Sequence, residues 1–444
     1  MSTRREVIET GLGVIGSMAL ADREAHAAPV YRIPEGLAAP GDLLRQLDED
    51  LRIHASFGSK ISGGKGDLDA ARWIAQRLDS LGMEVRKLDF SVPSFLADVA
   101  EVRTPEIVVP VFPQPVVVPT RVGGLRAHGA LMRDEFHAPQ VAGKIAFIDL
   151  PHARHAALFN PPVMPLVQAA VRAGAQAIVL VTNGPTGEVI ALNTKLDPLV
   201  DVPLALIAPK DFPPVSKAIA EEQLLEIELV GDASDATSCN IIATRRAGPK
   251  WLAFSTPRSG WFQAVGERAP GTAAFLELVR WASVRFPDHS IFAMNNGGHE
   301  FDFKGSHLAL AEAPPAQDTV IWTHLGAGLA TRDRLGLGVR QLGMMDTADP
   351  RRVLMASGEM LDTCRRAFAD ISGYKDPLEI LGGAGELSTF IDHGYRRAFA
   401  GLGVHRWCHV PGDGIETVDA GLLLPVVEAH RAVIEETVGR FGIA

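Results

Sequence analysis

The stretch Ile291-Phe292-Ala293-Met294-Asn295-Asn296-Gly297-Gly298-His299-Glu300-Phe301-Asp302-Phe303-Lys304-Gly305-Ser306 runs from apolar residues into a Gly- and Asn-rich turn carrying a His-Glu pair. A short continuous apolar run bounded by turn residues is the pattern of a strand buried on both faces. His299 and Glu300 stand where that strand opens into a loop, the usual place for a reactive side chain held by a rigid scaffold. A surface loop with incidental charges is the plain alternative.

On either side of this stretch, strands and helices alternate. Asn240 to Thr244, Trp251 to Ser255 and Thr319 to Thr323 read as further apolar strands. Pro270 to Arg285 reads as an amphipathic helix with Pro270 in its first turn, and Thr417 to Val438 as a closing helix with Pro425 inside it. Upstream, residues 68 to 82 form a helix stopped by Gly82 and followed by an alternating strand, Met83 to Leu88. A second such unit runs from a strand at Lys144 to Leu150 through a helix at Met164 to Arg172 to a strand at Ala177 to Val181. This predicts an α/β fold: a mixed, mostly parallel sheet sandwiched by helices.

Between residues 92 and 235 the texture shifts to Val, Pro and short strand-like runs such as Ile107 to Phe112 and Val202 to Ala208. A structureless loop of that length is improbable in a compact protein, so this segment reads as a β-rich insert. The expected division is residues 31–91 and 236–444 for the main domain, 92–235 for the insert, and 1–30 for an N-terminal extension. Arg4-Arg5, the apolar stretch Val7 to Ala21 and Ala25-His26-Ala27 fit an export leader, while Glu6, Glu9 and Asp22-Arg23-Glu24 fit a retained helix. Periplasmic and cytoplasmic locations both stay open.

With 444 residues, 47% of them hydrophobic, the chain can bury a large core. Its formal charge of -10 argues against a nucleic-acid partner. No run approaches the ~20 apolar residues of a membrane span, so stable membrane insertion is not expected. Cys239, Cys364 and Cys408 form no CxxC motif and are expected to be free thiols.

Glu267, His299-Glu300, His324 and His409 all fall near expected strand ends or helix starts. Ligands of open α/β sheets gather outside the carboxyl ends of strands, so these side chains can converge. Carboxylates and imidazoles are a sound donor set for zinc, with water in the open position. Singly, each has an ordinary structural explanation. Asp413 can orient His409 or simply form a turn with Gly414.

The order of these segments resembles the zinc aminopeptidase, glutamate carboxypeptidase and glutaminyl cyclase superfamily, from about residue 45 to the C-terminus. Gly143-Lys144-Ile145 through Ala173-Gly174-Ala175-Gln176-Ala177-Ile178 is similar to its protease-associated insert, and Ser238-Cys239-Asn240-Ile241-Ile242-Ala243 to the lead-in of its catalytic domain. Where the family has His-x-Asp-Ser, this chain has Thr256-Pro257-Arg258-Ser259. Where the family has its bridging Asp, in Asp-Asn-Ala-Ser-Gly, the chain has Glu267-Arg268-Ala269-Pro270-Gly271. The family's general-base Glu matches His299, its ligand Glu matches Glu300, a further ligand Asp matches His324, and the last ligand His is kept as His409.

The resemblance implies one divalent metal, zinc, rather than two. Its ligands would be Glu267, Glu300 and His409, with His324 as a fourth ligand or a donor behind them. His299 would move protons, since its ordinary pKa of about 6.5 suits that task near neutrality. Arg258 could clamp an anionic group or oxyanion, or instead pair with Glu267 or Glu300 in a metal-free pocket. Trp261, Trp322, His405 and Trp407 could line an aromatic pocket. The expected activity is hydrolysis of an amide or related carbonyl bond in a specialised small or short peptide-like substrate. Non-hydrolytic acid-base chemistry (a lyase, isomerase or cyclase) and metal-free binding without catalysis are the alternatives, and a homo-oligomer remains open.

Overall fold

The structure, a computed structural model, describes residues 40–114, 116–336, 342–380 and 385–442. The N-terminal extension of residues 1–30 lies outside the described residues. The helices are α1 (Pro40–Ser56), α2 (Lys65–Asp79), α3 (Val163–Arg172), α4 (Pro213–Ala220), α5 (Val265–Arg285), α6 (Lys304–Ala309), α7 (Leu361–Ala367), α8 (Glu386–Asp392) and α9 (Ala420–Phe441). None of the described helices is long and apolar enough to cross a membrane.

The principal strands are β1 (Glu84–Arg103), β2 (Leu125–Met132), β3 (Ile145–Asp149), β4 (Ala177–Val181), β5 (Leu204–Ile207), β6 (Leu224–Arg245), β7 (Trp251–Pro257), β8 (Ser290–Asn296), β9 (Thr319–Leu325), β10 (Val353–Ala356) and β11 (Ala398–Leu402). They join one sheet in the order β10-β11-β9-β7-β8-β6-β2-β3-β4-β5. β8, β7, β9 and β11 run parallel, as do β2 through β5, while β6 is antiparallel to both sets. This is the mixed, mostly parallel α/β sandwich expected from the alternation.

Every residue of β7, β8 and β9 is buried. Their apolar runs are therefore continuous, and the few polar side chains they carry must find partners inside the protein. From β7 the chain goes first to β8 on one side and then to β9 on the other. That reversal falls at the carboxyl ends of these strands, where α/β folds place their ligands.

The long strands β1 and β6 pair antiparallel from Glu84 with Thr244 to Arg103 with Glu226. They carry the chain out of the central sheet to β2–β5 and back. Two apolar clusters form there, one around Ile148, Leu180 and Leu206 and one around Phe147, Val179 and Ile227. The central cluster, with Leu47, Ile74, Phe254, Phe275 and Val433, is separate from both.

Two expectations about α5 need correction. It begins at Val265, so Pro270 lies in the helix interior rather than its first turn, and Glu267 sits within the first turn. A proline there leaves the carbonyl of Gly266 without its helical donor, and the Thr331 hydroxyl supplies the bond at 3.2 Å. The helix is also buried on nearly all faces, not amphipathic, because α1, α2, α9 and the sheet enclose it.

Candidate active site

The carboxyl ends of β7, β8, β9 and β11 collect a buried polar cluster. Glu267 enters it from the first turn of α5, His299 and Glu300 from the loop after β8, His324 from the end of β9, and His409 from the loop after β11. The loop after β8 folds back tightly: a Cβ on Gly305 would lie 2.0 Å from the Gly297 carbonyl oxygen. His409 holds a left-handed backbone with φ 60, as do Asp302 and Phe303 at 51 and 58. Strained non-glycine residues of this kind concentrate at functional sites.

Glu267 and His409 meet, with Oε1 3.1 Å from Nε2. The other ring nitrogen of His409, Nδ1, lies 3.0 Å from the Ala191 carbonyl. Both nitrogens therefore face acceptors, an arrangement that suits an imidazolium. Burial disfavours that charge, but Cys408 and the Glu267 carboxylate outweigh it and hold His409 well above 6.5. Arg268, the next residue in the sequence and one that no motif marks as functional, places its guanidinium Nη2 2.7 Å from the same Glu267 oxygen. Its Nε donates to the Ser259 carbonyl at 2.6 Å. Burial alone would raise the Glu267 carboxyl; Arg268 and His409 reverse this and hold it far below the usual carboxylate range.

Glu300 points elsewhere. Its Oε2 accepts from the hydroxyls of Ser62 and Ser259, each at 2.7 Å, while Oε1 is buried without a partner among the described residues. Burial pushes this carboxyl up to about 7, against those hydroxyls and Arg268.

His299 and His324 converge on Glu386, at the start of α8. His299 Nδ1 lies 3.2 Å from Glu386 Oε2, and His324 Nε2 lies 3.7 Å from the same oxygen. Facing a carboxylate, His299 Nδ1 carries the proton, which leaves Nε2 as a free base. Burial, then Arg268, lowers the His299 pKa against the pull of Glu386. The Ser255 hydroxyl accepts from Trp322 Nε1 and lies 2.8 Å from His324 Nδ1. Its single proton then goes to Nδ1, and Nε2 bears the proton facing Glu386. Burial alone would raise Glu386; the His299 hydrogen bond and the neighbouring imidazoles hold it down to about 2. Glu386 follows Gly382-Gly383-Ala384-Gly385 in the sequence. A glycine-rich run of sequence ending in an acid is the signal available for it.

Other expected residues have structural partners. Arg258 neither pairs with Glu267 or Glu300 nor offers an open guanidinium: it is fully buried and donates to Asp67 at 2.7 Å, Asn295 Oδ1 at 2.6 Å and the Cys239 carbonyl at 2.7 Å. Asp413 does not touch His409; it accepts from the backbone N–H groups of Gly266 at 2.8 Å and Glu267 at 3.1 Å, capping α5. Thr256 donates to the Leu325 carbonyl at 2.7 Å, tying β7 to β9. Trp322 stacks on Phe390 in the core, and Trp261 is buried against Phe301. Cys239, Cys364 and Cys408 are free and buried.

Zinc fits this arrangement poorly. Among the described residues, Glu267, Cys408 and His409 are the group whose donor atoms lie within 4.8 Å of one another. That group includes neither Glu300 nor His324. Glu267 Oε1 is already shared between Arg268 and His409, which leaves Oε2, buried and without a partner among the described residues, as its one uncommitted oxygen.

No protein-family model matches the sequence, and neither does any curated protein. Solved structures do match. A zinc aminopeptidase from Bacillus subtilis superposes with a TM-score of 0.69 at 17% identity, over 88% of this chain and 94% of that one. A peptidase M28 precursor from Shewanella amazonensis SB2B gives 0.66 at 16%, over 89% and 94%. An aminopeptidase from Aneurinibacillus sp. strain AM-1 gives 0.63 at 16%, over 90% and 96%. This chain has the zinc-aminopeptidase fold. At the carboxyl ends of its central strands this chain gathers Arg268, Glu386 and three imidazoles around Glu267.

Proposed function

We propose that this chain is a hydrolase acting on an amide or related carbonyl bond of a small or short peptide-like substrate. The fold it shares with zinc peptidases supports the reaction class. The observation that carries the chemistry is the His299–Glu386 pair, with Nδ1 3.2 Å from the carboxylate and Nε2 without a hydrogen-bond partner among the described residues. Of the clustered ionisable side chains, His299 is the most open, at 15% exposure. A water at Nε2 would give its proton to the imidazole while Glu386 stabilises the imidazolium that forms. The buried positive charge beside it would steady the oxyanion left on the carbonyl. We read residues 92–235 as an inserted unit similar to a protease-associated domain that closes over this site.

The test is turnover by full-length protein on a panel of aminoacyl amides, short peptides and lactones. His299→Ala is expected to lower the rate by at least about 100-fold, the usual worth of a positioned base. Glu386→Gln should lower it too, through loss of the imidazole's orientation. Rates unchanged in both variants would overturn the assignment.

A second reading has an observation of its own, since one carboxylate faces both His299 and His324. Two imidazoles on one carboxylate could exchange protons at two substrate atoms in an elimination, isomerisation or cyclisation. Reaction in oxygen-18 water separates the readings: hydrolysis places solvent oxygen in the product, and the alternative does not.

A further inference from the structure

We propose that Arg268 is the built-in cation of this site: its guanidinium holds the charge position beside Glu267 and His409 that a divalent ion would need, and keeps it metal-free. Nη2 is 2.7 Å from Glu267 Oε1, the oxygen that also lies 3.1 Å from His409 Nε2. A zinc ion bonded to that oxygen and nitrogen sits about 2.0–2.2 Å from each. It would be pressed against a guanidinium that cannot lose its proton. The side chain is not free to swing away, because Nε is fixed on the Ser259 carbonyl at 2.6 Å and Arg268 is 2% exposed.

The surrounding donors agree with a fixed cation. Glu300 spends its Oε2 on Ser62 and Ser259. His324 has Nδ1 on Ser255 and Nε2 toward Glu386. Neither belongs to the donor group of Glu267, Cys408 and His409. A dication here would therefore meet one carboxylate already balanced by an arginine.

Arg268 also has capacity to spare. Its Nη2 meets the Glu267 charge, yet the N–H directions miss the oxygen and no aligned hydrogen bond forms. A buried donor without an acceptor is costly unless something else takes the bond. A substrate carbonyl oxygen is the chemistry that fits: a neutral acceptor that gains negative charge during reaction. The assignment goes beyond the proposed activity and holds whichever bond is broken.

The test reads metal, not turnover. Full-length protein is stripped with chelator, exchanged into buffer, titrated with zinc chloride alone, passed through a desalting column and assayed for bound zinc. Wild-type protein is expected to retain no stoichiometric zinc. Arg268→Ala frees Glu267 and His409, with Cys408 beside them, and is expected to gain stoichiometric zinc that a further His409→Ala change removes. Arg268→Gln, which keeps a donor for the Ser259 carbonyl, serves as the second variant, and circular dichroism melts check that each is folded. Stoichiometric zinc on wild-type protein that is lost in His409→Ala would overturn the proposal. So would folded Arg268→Ala and Arg268→Gln proteins that bind no zinc.

Discussion

Glu300 and Glu386 show how neighbours assign different tasks to two buried carboxyls. Glu386 receives the His299 imidazole N–H, the Asn296 amide at 3.0 Å and the Ser306 hydroxyl, with His324 close by, and stays ionised, down to about 2. Glu300 receives only hydroxyls on one oxygen and is pushed up to about 7 by burial. Because its folded pKa lies above the ordinary 4.5, Glu300 favours the folded state most at acid pH. That contribution is lost as pH rises from 4.5 through about 7. The difference between those values corresponds to about 3 kcal/mol. Glu300→Gln does not titrate, so relative to wild type it should gain up to about that amount between acid and alkaline conditions. Urea unfolding on both sides of the window checks this; a stability difference that does not move with pH would show that Glu300 is already ionised in the folded protein.

The start of α5 connects element geometry to the site. Ala264, its N-cap, has φ 47 and no side-chain bond to give. The cap arrives instead from the loop after β11, where Asp413 accepts from the N–H groups of Gly266 and Glu267. Gly266 must be glycine for this to work: an added Cβ would lie 2.5 Å from Asp413 Oδ1 and 2.9 Å from Thr417 Oγ1. Gly266→Ala should therefore displace Asp413, leave two buried N–H groups without acceptors and cost about 2–4 kcal/mol in urea unfolding. A cost below about 0.5 kcal/mol would mean that the cap can shift at no loss. Such features explain what could be read in advance. The strands at Trp251, Ile291 and Thr319 were legible because burial on both faces demands unbroken apolar runs, and Glu267, His299 and His409 because they follow such runs or lead into a helix. Arg268 and Glu386 were not. Their roles come from one side chain reaching 2.7 Å to its neighbour's carboxylate, and from residues 299 and 386 meeting across two helices and several strands. Arg258 misled for a similar reason: it aligns with a site position, but Asp67, Asn295 and Cys239 take its donors.

At the scale of the whole molecule, the segment between β1 and β6 is tied into the site. Ala191 donates its N–H to the His409 carbonyl at 2.9 Å and accepts from His409 Nδ1 at 3.0 Å. Thr194 donates to the Glu300 carbonyl at 2.8 Å, and Asn193 Oδ1 accepts from Trp261 Nε1 at 2.9 Å. Residues 191 to 194 thus hold the backbones of two site loops at once, and the left-handed His409 is fixed from both its ring and its carbonyl. If these bonds are lasting, the two sides of the Asn193–Trp261 contact must be energetically coupled. Asn193→Ala leaves the indole N–H, on a side chain 1% exposed, without an acceptor, and should cost about 1–3 kcal/mol. On a Trp261→Phe background that donor is gone, so the same change should cost much less. The double-mutant cycle in urea should return a coupling of about 1–2 kcal/mol. A coupling within about 0.3 kcal/mol of zero would mean that the segment swings free of the site in solution, and His409 would then lose the partner that fixes its Nδ1.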